Sequence, residues 1–273
     1  MFQKSLEKYG VRAKLTALIN DTTGTLMASN YVHPNTRIAV IFGTGCNAAY
    51  METAKDIPKI DYMQLPPDQD MAINCEWGAF DSFTHEHLLG EQAFEKMIAG
   101  LYLGEIFRLV LMEMIDAGDL FLGQNTYKLE KAYAFDTAFL SLMEADPTDE
   151  LLMAIGIFNH FFGLETTLEE RQFFRSLAKL IGTRSARLSA CGIAAIVHKK
   201  GYLKEGCAVG ADGSLYKKYP HFPERIEQAL VDIFGEDGKK ITTHNAEDGS
   251  GVGSAIIAAM TMQRKKDGLY PDY

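Results

Sequence analysis

The hydrophobic period of this chain changes once, near residue 91, and that change limits the possible folds more than any other feature. Before it, short apolar runs alternate with Gly, Asn and Asp: LTALI at 15–19, TLMASNY at 25–31, IAVIF at 38–42, a run at 48–52 and MAINC at 71–75. Apolar runs of this length bounded by turn residues predict strands. Residues 53–70 (TAKDIPKIDYMQLPPDQD) are polar and contain proline, so they read as a connection. From 91 to 117, Phe94, Met97, Ile98, Leu101, Leu109 and Met112 recur at three- and four-residue spacings, which predicts a helix. Gly100 and Gly104 on it cost about 1 kcal/mol each relative to Ala, so close backbone packing or a ligand is expected there.

Further along, a second long helix is predicted over 168–199. It is rich in Ala, Ser and Gly between 185 and 195 and should lie close against the sheet. Residues 206–216 (GCAVGADGSLY) read as strand, turn, strand. A helix at 221–234, a strand at 240–246 and a last helix at 250–266 complete the chain. Strands first, helices after, and a closing strand–helix unit predict an α/β layer fold.

Charge and cysteine usage weigh against several function classes. A formal net charge of −9 speaks against a nucleic-acid backbone as partner, including a nuclease role. The longest apolar runs fall short of the roughly 20 residues a membrane helix needs. The opening MFQKSLEKYGVRAK has no apolar signal core, so a cytoplasmic location without a membrane partner is expected. Cys46, Cys75, Cys191 and Cys207 form no C-x-x-C pair, which predicts reduced thiols. His85 and His87 stand two apart and read as an exposed loop, not metal ligands.

Three carboxylates and two carboxamides stand at the ends or turns of apolar elements. Asn20 and Asp21 follow LTALI, Asn47 follows G-T-G at 43–45, Glu76 lies in NCEWG and Glu95 in EQAFEKM. A polyol needs such a lining, because each hydroxyl offers one donor and two acceptor lone pairs. Carboxylates buried near one another also have raised pKa values, which suits a general base. By spacing alone, such residues more often cap turns or face solvent. Glycines form a second group: the turn after IAVIF, ADGS at 211–214, and EDGSGVGS at 247–254 opening the last helix. Such turns let backbone N–H groups approach phosphate oxygens. The last is no dinucleotide fingerprint, since Ser254 stands at the third glycine, and no Walker A motif occurs.

Taken in order, LINDTTGTL, VIFGTGCNAAY, INCEWGAFD, QAFEKMIAGLYLGE, LIGTRSARLSACGIAAI, GADGSLYKKYP and AEDGSGVGSAIIAA resemble the hexokinases and related glucokinases, the fungal ones in particular. The resemblance runs from about residue 11 to 264. It implies a ribonuclease H-like lobe of the actin and Hsp70 ATPase superfamily: an α/β fold with a mixed five-stranded sheet flanked by helices, and additional helices. It also implies transfer of the γ-phosphoryl of ATP, carried with Mg2+, to the 6-hydroxyl of glucose or a related hexose. Asp21 corresponds to the catalytic base. Asn20, Asn47, Glu76 and Glu95, with Gln92 beside them, correspond to sugar-binding residues. Gly43, Thr44 and Gly45 match a phosphate-binding turn. Thr183, Asp212, Gly213 and Ser214 match contacts to the adenosine side, and Gly249 to Gly251 flank that pocket as the loop before the last helix.

Residues 1–273 correspond to the family's second, large lobe. The small lobe's DLGGT-type turn, its FSFP-like serine stretch and its Thr-Lys pair have no match in this chain. The magnesium ligand and the opposite wall of the sugar cleft are therefore expected from that lobe. HEHLLGEQ at 85–92 is shorter than the family's loop, with Glu91 where Gln is usual, which would displace Glu95. The alternative reading is a hexokinase-like protein that binds sugar or nucleotide without turning it over.

Overall fold

The structure is a computed structural model that describes residues 2–63, 65–80 and 92–268. Five strands form one mixed sheet: β1 (Thr36–Phe42), β2 (Cys46–Thr53), β3 (Asp70–Asn74), β4 (Cys207–Asp212) and β5 (Ile241–Asn245), in the order β3-β2-β1-β4-β5. β1, β2 and β3 form an antiparallel meander, whereas β4 and β5 add to β1 in parallel. The helices are α1 (Phe2–Lys8), α2 (Asp21–Val32), α3 (Ala93–Ile98), α4 (Gly100–Ala117), α5 (Tyr127–Glu130), α6 (Thr137–Ala145), α7 (Leu152–Ile157), α8 (Leu168–Lys200), α9 (Ser214–Lys218), α10 (Phe222–Phe234) and α11 (Gly249–Lys266).

Strand alternation divides the core between the two faces of the sheet. Ile38, Val40 and Phe42 of β1, with Ala48 and Tyr50 of β2, join the large core under α3 to α10. Ala39 and Ala49 point the other way and pack with Leu26 of α2. α8 reaches the large-core face at its end, where Lys200 and Lys199 pair with the buried Glu52 of β2. Its small-residue stretch admits other groups closely: the Ser185 hydroxyl donates to the Ile98 carbonyl at 2.7 Å, and a Cβ at Gly192 would stand 2.5 Å from the Trp77 ring. α8 is also long enough, and apolar enough in one window, to cross a membrane, but 56% of that window is buried, as in a core helix. All four cysteines are free.

Four expectations are corrected. LTALI at 15–19 is not a strand; residues 11–20 have no regular structure and are largely exposed. TLMASNY at 25–31 is part of α2. Asn20 is its N-cap, with Oδ1 accepting the Thr22 N–H at 2.8 Å, and Asp21 sits in the first turn where the helix dipole favours a carboxylate. The helix predicted over 91–117 breaks at Ala99 into α3 and α4. There the Gly100 and Leu101 N–H groups leave the helical ladder and donate to the carbonyls of Gly43 and Thr44, at 2.8 and 3.3 Å. The second strand expected within 206–216 is the short helix α9, because Gly213, at φ 106°, reverses the chain after β4. The other strands and helices lie within a few residues of their predicted places. The His85/His87 pair, Glu91 and nearly all of the shortened 85–92 connection lie outside the described residues.

Candidate functional site

The parallel strands β1, β4 and β5 end at one edge of the sheet, the edge where open α/β sheets bind ligands. A short turn joins α2 to β1, closed by the Thr36 N–H donating to His33 O at 2.8 Å and by Asn30 Nδ2 donating to Thr36 O at 2.9 Å. α2 therefore runs back along β1, and its first residues, Asn20 and Asp21, reach the edge where β1 ends. α11 starts at the same edge, after β5. The two helices cross on glycine: a Cβ at Gly253 would overlap the Gly24 carbonyl, and one at Gly249 would stand 2.8 Å from Thr25 Oγ1. Gly249 to Gly251 are thus the first turn of a closely packed helix, not a loop.

Asn47, Glu76 and Glu95 come together on the meander side of this edge, joined by Asn74. The Asn47 side-chain Oδ1 accepts the N–H groups of Ala48 and Glu76, at 2.8 and 2.9 Å. Its amide nitrogen donates to Asn74 Oδ1 at 2.7 Å and to Glu76 Oε1 at 3.2 Å, and Asn74 Nδ2 donates to Glu76 Oε1 at 2.6 Å. Glu95 Oε2 accepts the Cys46 N–H at 3.2 Å. Glycines leave room for that carboxylate: a Cβ at Gly45 or at Gly78 would stand 3.0 Å from Oε2. Burial first, then Glu95, push the Cys46 thiol up to about 12, so it is no nucleophile.

Glu76 and Gln92 both hold left-handed backbone, at φ 49° and 59°. Non-glycine residues in this region cost about 1–3 kcal/mol each, and such strain gathers at functional sites. The cluster is open, against the expectation of burial: Asp21 and Glu76 are exposed, and Glu95 is half-buried. Asn74 was missed by the sequence reading, although it lies one strand step before Glu76.

A cavity of about 530 Å3 lies on the other side of the Gly43–Gly45 turn, lined by Gly43, Thr44, Gly100, Thr137, Ser214, Lys218 and Tyr219 among others. That volume suits a nucleotide-sized ligand. The two glycine turns meet at its rim: the Cβ position of Gly43 is 3.9 Å from Gly213 Cα, and a Cβ at Gly213 would overlap the Phe42 carbonyl. Of the residues expected around adenosine phosphate, Gly43, Thr44 and Ser214 line the cavity. Gly45 instead faces Glu95. Asp212 lies just behind, its Oδ1 accepting Lys217 Nζ and the Gly213 N–H, each at 2.6 Å. Thr183 is half-buried on α8 beside Gly182, which packs under the Tyr219 ring. Thr137 went unpredicted; its hydroxyl donates to Gly100 O at 2.5 Å and accepts the Gly104 N–H at 2.9 Å.

A sequence model of the hexokinase family matches residues 37–260. The hexokinase of Emericella nidulans is 49% identical over 97% of this chain and 58% of its own length. Hexokinase-2 of Candida albicans is 47% identical over 98% of this chain and 59% of its own length. Among solved structures, the hexokinase from Schistosoma mansoni complexed with glucose superposes with a TM-score of 0.82 at 30% identity, covering 94% of this chain and 60% of that one. The chain thus spans somewhat under two thirds of the length of the relatives it matches. The family model runs without interruption over 224 residues of this chain (37 to 260), more than half of its length, and the chain belongs to the hexokinase family.

Proposed function

We propose that this chain is the large lobe of an ATP-dependent hexokinase, transferring the γ-phosphoryl of MgATP to the 6-hydroxyl of glucose or a related hexose. One observation carries the reading: a single segment, Gly43–Asn47, forms a wall of two sites. Gly43 and Thr44 line the nucleotide-sized cavity, while Cys46 and Asn47 are tied into the carboxylate–amide cluster. Two reactants bound on either side of one short turn are held within reach of each other, and phosphoryl transfer rests chiefly on such positioning.

In this reading Asn20, Asn47, Glu76, Glu95 and Gln92 hydrogen-bond the sugar hydroxyls, and Asp21 at the start of α2 accepts the 6-hydroxyl proton. Gly43, Thr44, Gly45, Thr183, Asp212, Gly213 and Ser214 form the nucleotide side. Magnesium arrives with ATP as part of the substrate. A small lobe contributes the opposite wall, so that closure excludes water from the transfer.

The test follows glucose 6-phosphate formation in an NADP-coupled assay of the native protein and its Asp21→Ala variant. Loss of a general base lowers kcat about 10²–10⁴-fold, with glucose affinity nearly unchanged by calorimetry. Binding of glucose and ADP with no product formed would overturn the reading in favour of a non-catalytic sugar- or nucleotide-binding protein.

A further inference from the structure

A second cavity, of about 330 Å3, lies apart from the sugar cluster and is lined by six residues: Glu144, Arg175, Ser176, Lys179, His221 and Arg225. Three of the six, Arg175, Lys179 and Arg225, carry basic side chains. The single carboxylate is already engaged, since buried Glu144 pairs with the Arg225 guanidinium through both oxygens. The site therefore holds a net positive charge on a protein whose formal net charge is −9.

Two of the cations are neighbours on one helix. Arg175 and Lys179 stand four apart on α8, where like charges destabilise a helix. Arg175 has the Asp146 carboxylate nearby, whereas Lys179 has no ion pair or hydrogen bond among the described residues. His221 starts α10 in the left-handed region at φ 57°, a conformation that a non-glycine residue holds only when its surroundings impose it. Glu144 on α6 fixes Arg225 from behind, so the guanidinium is presented in a set position with donors to spare.

We propose that this cavity is an anion site for a compact, multiply charged phosphate compound, distinct from the proposed nucleotide cavity. The volume admits pyrophosphate or a phosphorylated small metabolite. A fork-shaped guanidinium beside an ammonium matches the oxygens of a phosphate group. The two cavities share walls: α6 lines one through Ser141 and Leu142 and the other through Glu144. The chain after α9 likewise lines one through Tyr219 and the other through His221.

The experiment is calorimetric titration of the whole chain with sodium pyrophosphate at low ionic strength. The comparison is with the double variant Arg175→Gln, Lys179→Gln and with a control, Lys239→Gln, Lys240→Gln, in an exposed turn. One saturable site is expected, weakened at least tenfold by the first pair and less than twofold by the second. Since Arg175 and Lys179 are exposed, folding of both variants is checked by thermal melting. Should the double variant not fold, Lys179→Gln alone serves, with a fall of at least threefold expected. Absence of binding, or binding unchanged by the α8 substitutions, as it would be if pyrophosphate entered the nucleotide cavity, overturns the proposal.

Discussion

Glu95 Oε2 accepts the backbone N–H of Cys46 at 3.2 Å, so a carboxylate on α3 is anchored to the first residue of β2. This bond ties the helical layer to the turn that divides the two candidate sites. Glu95→Gln keeps the shape but exchanges a charged acceptor for a neutral amide. Glucose affinity should fall about 10-fold or more, since hydrogen bonds to charged groups are worth about 1.5–3 kcal/mol, while ADP affinity changes little. Calorimetry with each ligand separately checks both halves.

Two glycines on helices should respond to alanine with opposite signs. At Gly253 an added Cβ overlaps the Gly24 carbonyl where α11 crosses α2, so Gly253→Ala should destabilise by about 1–3 kcal/mol. At Gly156, on α7, nothing lies within 4 Å of the added carbon, and Gly156→Ala should stabilise by about 0.5–1 kcal/mol through helix propensity. Urea unfolding of the pair against the parent protein decides it.

His244 on β5 meets His33 edge-on, ring centroids 4.5 Å apart, and its Nε2 is buried without a hydrogen bond among the described residues. Burial first, then the His33 charge, hold its pKa below the usual imidazole value. The unfolded chain therefore binds the proton more readily, and stability falls as pH drops below about 6.5. His244→Gln should flatten that limb of a stability–pH curve measured by chemical denaturation between pH 7.5 and 5.5. An unchanged slope would show that the imidazole titrates alike in both states.

Glu52 lies 4% exposed on β2 with Lys200 on one oxygen and Lys199 3.7 Å from the other. Burial alone would raise its carboxyl pKa, but the Lys200 ammonium, the Thr53 N–H and Lys199 outweigh it and hold the carboxyl below the ordinary range. Its contribution is thus complete above about pH 4.3 and is lost as pH falls through the lower folded value. Lys200→Met leaves the buried carboxylate with the longer Lys199 contact. It should cost about 3 kcal/mol at neutral pH, the low end for breaking a buried pair, and move the acid limb to higher pH. Denaturation curves at pH 7 and pH 4 measure both effects.

Much of this architecture was legible without coordinates, because its signals are local. IAVIF and MAINC are strands for the reason their composition suggests, and the spacing around Phe94 and Met112 gave helix. The glycine turns were visible in the same way, whereas Asn47, Glu76 and Glu95 stood out as site candidates through the family resemblance, not through their spacing. LTALINDTTGTL misled because its Thr residues and glycine resemble strand and turn, while Asn20 and Asp21 are equally a helix N-cap and first turn. Sequence period cannot separate the two readings in so short a run.

What only the tertiary structure decided is which residues meet. Helix propensity carries 91–117 straight through Ala99, and the break there exists because the Gly43 and Thr44 carbonyls, about fifty-seven residues earlier in the chain, accept the N–H groups that start α4. Asn74 becomes part of the carboxylate–amide network through pairing of β2 with β3, and Gly45 turns toward Glu95 while Gly43 and Thr44 line the larger cavity. These contacts join positions far apart in the sequence. Local periodicity reports the shape of each element, but hydrogen bonds and close approaches between elements set the site, and they exist only once the sheet has formed.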